Sequence, residues 1–71
     1  MKLHDRVQLI HDKAAYKNAG VKFEDTGTIM GEKRCGYFLV YFDGEIFCRD
    51  GIWQTTEIDC AVLEEDLEVI G

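Results

Sequence analysis

The sequence of 71 residues predicts an all-β fold, a small five-stranded barrel, on three observations. The chain ends in Glu64-Glu65-Asp66-Leu67-Glu68-Val69-Ile70-Gly71, an acidic single turn followed by an alternating strand, a common way for small barrels to close. Tyr37-Phe38-Leu39-Val40-Tyr41-Phe42 is apolar on both faces, as a central strand is. Alternating stretches elsewhere are bounded by Asp-Gly pairs, the dipeptides of tight turns.

Taken in order, Arg6-Val7-Gln8-Leu9-Ile10 alternates with Val7 and Leu9 on one face and predicts the first strand. His11 to Asp25 breaks the alternation and forms a long first loop, with one or two helical turns over Asp12–Gly20. Asp12 is the expected cap there and Asn18 to Gly20 the stop. A long loop in a small domain is a candidate contact surface, with Tyr16 near its tip. The second strand is Thr26-Gly27-Thr28-Ile29-Met30, with Gly27 marking a bulge or a close crossing, and residues 31–36 are a polar hairpin loop. The central strand follows and presents either Phe38, Val40 and Phe42 or Tyr37, Leu39 and Tyr41 to the interior. Asp43-Gly44 predicts a tight turn. Glu45 to Arg49 reads as a short strand, which would make a sixth, ended by Asp50-Gly51, and residues 43–55 are either an extra hairpin or an irregular insertion around Trp53. Thr56 to Val62 alternates with Thr56, Ile58, Cys60 and Val62 on one face. A helical or 3₁₀ turn over 63–66 leads into the last strand with Leu67 and Val69 inward. No repeat, low-complexity tract or proline divides the chain, so residues 1–71 read as a single domain.

Apolar residues make up 46% of the chain, and four Phe, three Tyr and one Trp argue for a folded core and against disorder. The net charge of −6 disfavours an ordinary nucleic-acid binder that gains affinity by releasing counterions. The charge is polarised: residues 1–34 carry +2 and residues 35–71 carry −8. An acidic surface suited to a basic partner follows. Cys35, Cys48 and Cys60 contain no CxxC pair and leave one thiol over, which points to a reducing, cytoplasmic setting. No stretch reaches the roughly 18 apolar residues of a membrane span, and the N-terminus lacks a signal-peptide apolar region.

The order Asp5-Arg6-Val7-Gln8-Leu9-Ile10, Tyr16, Gly20-Val21, Asp25-Thr26-Gly27-Thr28-Ile29, Val40-Tyr41-Phe42-Asp43 and Glu65-Asp66-Leu67-Glu68-Val69-Ile70 resembles small bacterial and phage Src-homology-3-like (SH3-like) barrels. The Gly-Thr-Ile segment also looks like the KOW-type variant of ribosomal and transcription factors. The resemblance spans nearly the whole chain and implies a binding module that uses the rim of its first long loop. It departs from the pattern at Phe23-Glu24, where relatives tend to carry glycine, and at Cys48 to Trp53, which looks inserted.

Chemistry is sparsely represented. His4, His11 and the three cysteines match no zinc-site spacing, so the sequence implies no metal and no cofactor. Cys35, beside Lys33 and Arg34, is the candidate reactive thiol. No base is placed for a nucleophile, and the acidic groups Asp43/Glu45 and Glu64/Glu65/Asp66 lie in turns where solvated carboxylates are ordinary, so an enzyme is not expected. The favoured expectation is a protein-interaction module with Tyr16, Tyr41, Phe47 and Trp53 as an apolar patch, rimmed by Asp43, Glu45 and Asp50 together with Glu57 and Asp59. An inhibitor or adaptor of phage type, presenting negative charge to a basic protein, is its specific form. The alternative is nucleic-acid or nucleotide binding, with Lys13, Lys17, Lys22, Lys33 and Arg34 on phosphate and Tyr37 or Tyr16 stacking on a base. Homo-oligomerisation through the central strand is compatible with either.

Overall fold

The central apolar run is the strand around which the sheet is built. In the computed structural model, which describes residues 1–44 and 46–71, it is β3 (Tyr37–Phe42). Phe38, Val40 and Phe42 are buried, and Tyr37, Leu39 and Tyr41 face outward. The other elements are β1 (Arg6–Leu9), α1 (Ala14–Ala19), β2 (Thr26–Arg34), β4 (Ile46–Arg49), β5 (Ile52–Thr55), β6 (Ile58–Leu63), a 3₁₀ turn at Glu64–Asp66, and β7 (Leu67–Val69). Five strands form an antiparallel sheet in the order β6-β3-β2-β1-β7, while β4 and β5 pair only with each other. The protein is all-β with one short helix. Among the described residues β6 and β7 are the two edges of the sheet, so the ladder does not close into a barrel.

The core is Val7, Leu9, Tyr16, Val21, Ile29, Phe38, Val40, Phe42, Val62 and Leu67, with Ile58 and Cys60 packed against it. Strands β1, β3 and β6 contribute every second residue, as the pleat requires, and β4 and β5 contribute none. Val69, expected inward, is exposed at the end of β7.

Three local expectations are corrected. Strand β2 runs on to Arg34, so the predicted six-residue loop shrinks to a turn at Cys35-Gly36, both with positive φ. Register shifts after Ile29 and after Gly31 bend this long strand and accommodate its extra residues. The helix is capped at Lys13 with no side-chain hydrogen bond, and Asp12 pairs instead with Lys17 at 3.2 Å. Its stop is as expected: Gly20 takes the left-handed conformation, and its N–H is bonded to the Lys17 carbonyl. Asp43-Gly44 is not a two-residue hairpin turn, because β3 pairs with β6 and not with β4. The tight turn falls at Asp50-Gly51, where φ values of 54° and 78° join β4 to β5. Residues 46–55 are thus the extra hairpin; Glu45 lies outside the described residues.

Gly44 stands where this hairpin leaves the sheet. A side chain there would collide with the backbone of Thr56 and Glu57, so only glycine lets the two chains pass at the base.

Candidate functional site

Two regions stand apart from the alternating core: a polar cluster under the first loop and the hairpin of β4 and β5. The cluster is centred on Asp66, whose side chain is 1% exposed. The Tyr16 hydroxyl donates to it at 2.5 Å, Lys13 Nζ lies 2.8 Å away and His11 Nδ1 3.0 Å away. The Leu63 N–H donates to the Tyr16 hydroxyl at 3.2 Å, and the Ile10 N–H donates to the Asp66 carbonyl at 2.9 Å. Burial disfavours the ionised carboxylate, but the hydrogen bonds from Lys13, Tyr16 and His11 outweigh it and hold Asp66 below the usual carboxylate range. Burial, reinforced by the Asp66 bond, pushes the Tyr16 hydroxyl up to about 12. These groups satisfy one another, and the cluster straps the first loop to the turn before β7.

Sequence reasoning treated Asp66 as one of three solvated acids. The signal that separates it is the spacing of a 3₁₀ turn, in which residues three apart share a face, so Asp66 lies under the same side as Leu63. The same geometry corrects the reading of Tyr16, which is 3% exposed and belongs to the core instead of to a contact patch.

The hairpin has the opposite character. All eight residues of β4 and β5 are exposed, with Ile46 at 74% and Trp53 at 75%. Its register pairs Ile46 with Thr55, Phe47 with Gln54, Cys48 with Trp53 and Arg49 with Ile52. Directly paired residues share a face, so Ile46, Cys48, Trp53 and Thr55 form one side, and Phe47, Arg49, Ile52 and Gln54 the other. Trp53 and Phe47 therefore do not make one patch; they make the arm apolar on both sides. Asp50 sits at the tip.

Tyr41 lies on the outer face of the sheet, paired with Thr28 and Asp59, in the same row as Leu39 and Tyr37. Asp43 does not rim this surface freely. It accepts both guanidinium nitrogens of Arg6 and the Thr26 hydroxyl at 2.9 Å, and Arg6 also reaches the Thr28 hydroxyl at 2.9 Å. The Arg6 guanidinium, followed by the smaller opposing effect of burial, leaves the Asp43 carboxyl below its usual range.

The cations of the nucleic-acid expectation do not gather around Tyr16. Lys13 pairs with Asp66 and Glu65, Lys17 with Asp12, and Lys33 with Glu64 at 3.5 Å. Lys22, Arg34 and Tyr37 are exposed. The +2 half of the sequence thus folds onto the acidic turn at 64–66 and neutralises part of it. The cysteines are all free, Cys35 and Cys48 exposed and Cys60 half-buried. Burial, and secondarily Asp59, pushes the Cys60 thiol up. Among the described residues, no group of three or more His, Cys, Asp or Glu side chains is arranged to hold a metal ion, and no helix is long and apolar enough to cross a membrane.

No family model, curated protein or solved structure matches the chain.

Proposed function

We propose that the protein is a non-enzymatic protein-interaction module, and that its contact element is the arm formed by β4 and β5. The observation that carries this reading is that Ile46, Phe47, Ile52 and Trp53 all lie outside the core, on a hairpin whose strands pair only with each other. A two-stranded hairpin alone is marginal in water, and clustered large apolar groups at a surface mark contact sites. Aromatic residues such as Trp and Tyr are typical anchors of such contacts.

Glu57 and Asp59 at the base of the arm, with Asp50 at its tip, add carboxylates to the apolar surface. A partner with apolar pockets and basic side chains fits it, as an inhibitor or adaptor of bacterial or phage type, acting in the cytoplasm, would require. The SH3-like barrel reading is supported by the long first connection, the five-strand order and the 3₁₀ turn immediately before the last strand. On that reading the arm is an insertion between the third and fourth barrel strands. Nucleic-acid binding through Lys13, Lys17 and Lys33 is less well supported, because each of these is engaged by a carboxylate.

The test is affinity capture from native lysate, with and without nuclease treatment, with the wild-type chain beside an Ile52→Ser/Trp53→Ala variant. A protein retained by the wild type and lost by the variant supports the reading. Capture that vanishes with nuclease, or that the variant retains in full, overturns it.

A further inference from the structure

The two ends of the molecule are unlike. The Cys35-Gly36 turn, Glu32, Lys33 and Arg34 lie at one end of β3; the arm leaves from the other, after Phe42. Six residues of β3 span about 20 Å and four more in the arm add about 13 Å, in keeping with the 40 Å long dimension of the protein. Beside the Cys35-Gly36 turn the surface opens into a groove with Leu3, Met30 and Leu39 on its floor and Glu32, Lys33 and Arg34 around it. The three apolar residues are each more than a third exposed, and they continue into the outward row of Leu39 and Tyr41 on the sheet.

Resting on the reading that the arm is a contact element, we infer that its occupant is a second copy of this chain. The two copies form a closed antiparallel dimer, in which each arm seats Phe47 and Ile52, on the face that also carries Arg49, in the partner's groove of Leu3, Met30 and Leu39. A two-fold axis across the long dimension brings each arm tip to the partner's Arg34 end at once, so one contact is made twice and no end is left open.

Three physical arguments favour this occupant. First, charge: the tip carries Arg49 and Asp50, and the groove carries Glu32 and Arg34. Among the described residues none of these four has an ion pair within its own chain. Arg49 opposite Glu32 and Asp50 opposite Arg34 answer both signs. Second, area: a stable interface takes about 800 Å² from each partner, and reciprocity lets each arm-and-groove contact supply only about half of it. Third, size: a chain this small hides about 60% of its surface. It has no disulfide and leaves more large apolar side chains exposed than buried, so association is a direct way to complete its core. The like net charge of two copies opposes approach, but beyond about 8 Å it is screened at physiological salt.

The experiment is sedimentation equilibrium over a wide concentration range. The expected result is a shift from 8.1 kDa to twice that mass. Ile52→Ser should abolish the shift. Arg49→Glu and Glu32→Arg should each weaken it about tenfold, and the combined variant should restore it. Arg49 is preferred to Asp50 for the exchange because the Asp50 backbone is left-handed and would resist a long side chain. Circular dichroism verifies that each variant keeps its sheet.

A monomer at every concentration, open-ended growth beyond the dimer, or a double variant no better than the singles overturns the proposal. A monomer that still captures another protein through Trp53 overturns the dimer alone and leaves the interaction reading standing.

Discussion

The Tyr16 hydroxyl and the Asp66 carboxylate, distant in sequence, meet at 2.5 Å in the interior, and the same hydroxyl accepts the Leu63 N–H. One oxygen atom therefore joins α1, the end of β6 and the turn into β7. Tyr16→Phe leaves a buried carboxylate one donor short and a backbone N–H without its acceptor. The expected cost is about 1–3 kcal/mol, seen as a midpoint lowered by roughly 4–8 °C for each kcal/mol in a chain of this size. Thermal melting followed by circular dichroism measures it, and an unchanged midpoint would mean that the strap contributes nothing.

The same cluster sets the acid limit. Asp66 and Asp43 both have carboxyls held below their ordinary range in the folded protein. A lowered folded value means that the unfolded chain binds protons first as pH falls. The stabilisation is therefore fully present above the unfolded carboxylate value of about 4, and is lost as pH drops through the folded values. Urea midpoints should be flat from neutral pH to about pH 5 and then decline. In Asp66→Asn the plateau should be lower and the acid decline shallower.

Alkaline behaviour has the opposite sign. Tyr16 is raised to about 12, so its contribution is intact below the unfolded tyrosine value of about 10 and disappears as pH rises towards the folded value. Titration of tyrosinate absorbance should show one of the three tyrosines ionising late, together with unfolding, and Tyr16→Phe should remove that late step.

Gly27 faces the chain across from it. A methyl group there would meet the Tyr41 carbonyl oxygen at 2.7 Å and Phe42 Cα at 2.9 Å. Gly27→Ala must push β2 and β3 apart in the middle of the sheet, at an expected cost of about 1–3 kcal/mol. Gly51→Asn is the contrasting change: nothing lies within 4 Å of a side chain at that position, and asparagine tolerates its left-handed backbone. Its denaturation midpoint should match the wild type.

Much of the sheet was legible because its signals are local. The alternation of Arg6 to Leu9, the doubly apolar run at 37–42 and the acidic turn before Leu67 each depend on neighbours within one element. The clean alternation at Ile58, Cys60 and Val62 likewise marked the inward face of β6. What could not be read depends on pairing. Whether Glu32 to Arg34 is loop or strand turns on β3 arriving opposite them, and the partner of β4 is decided by where Phe42 goes next. Tyr16 and Asp66 carry no sequence mark of their meeting, since an aromatic in a basic loop and an acid among acids both read as surface. Trp53 stands out in its segment as the one tryptophan of the chain, but the two-sided character of its hairpin appears only once the register is known.

Phe42 lies directly opposite Ile58 in the ladder, so the polypeptide between them departs and returns at adjacent points. A segment with its ends fixed in this way can lengthen or shorten at a closure cost that rises only logarithmically with residue number. The sheet can thus be inherited unchanged while residues 46–55 diverge. Variation among descendants of this sequence is expected to collect in that finger, with Gly44 retained at its root.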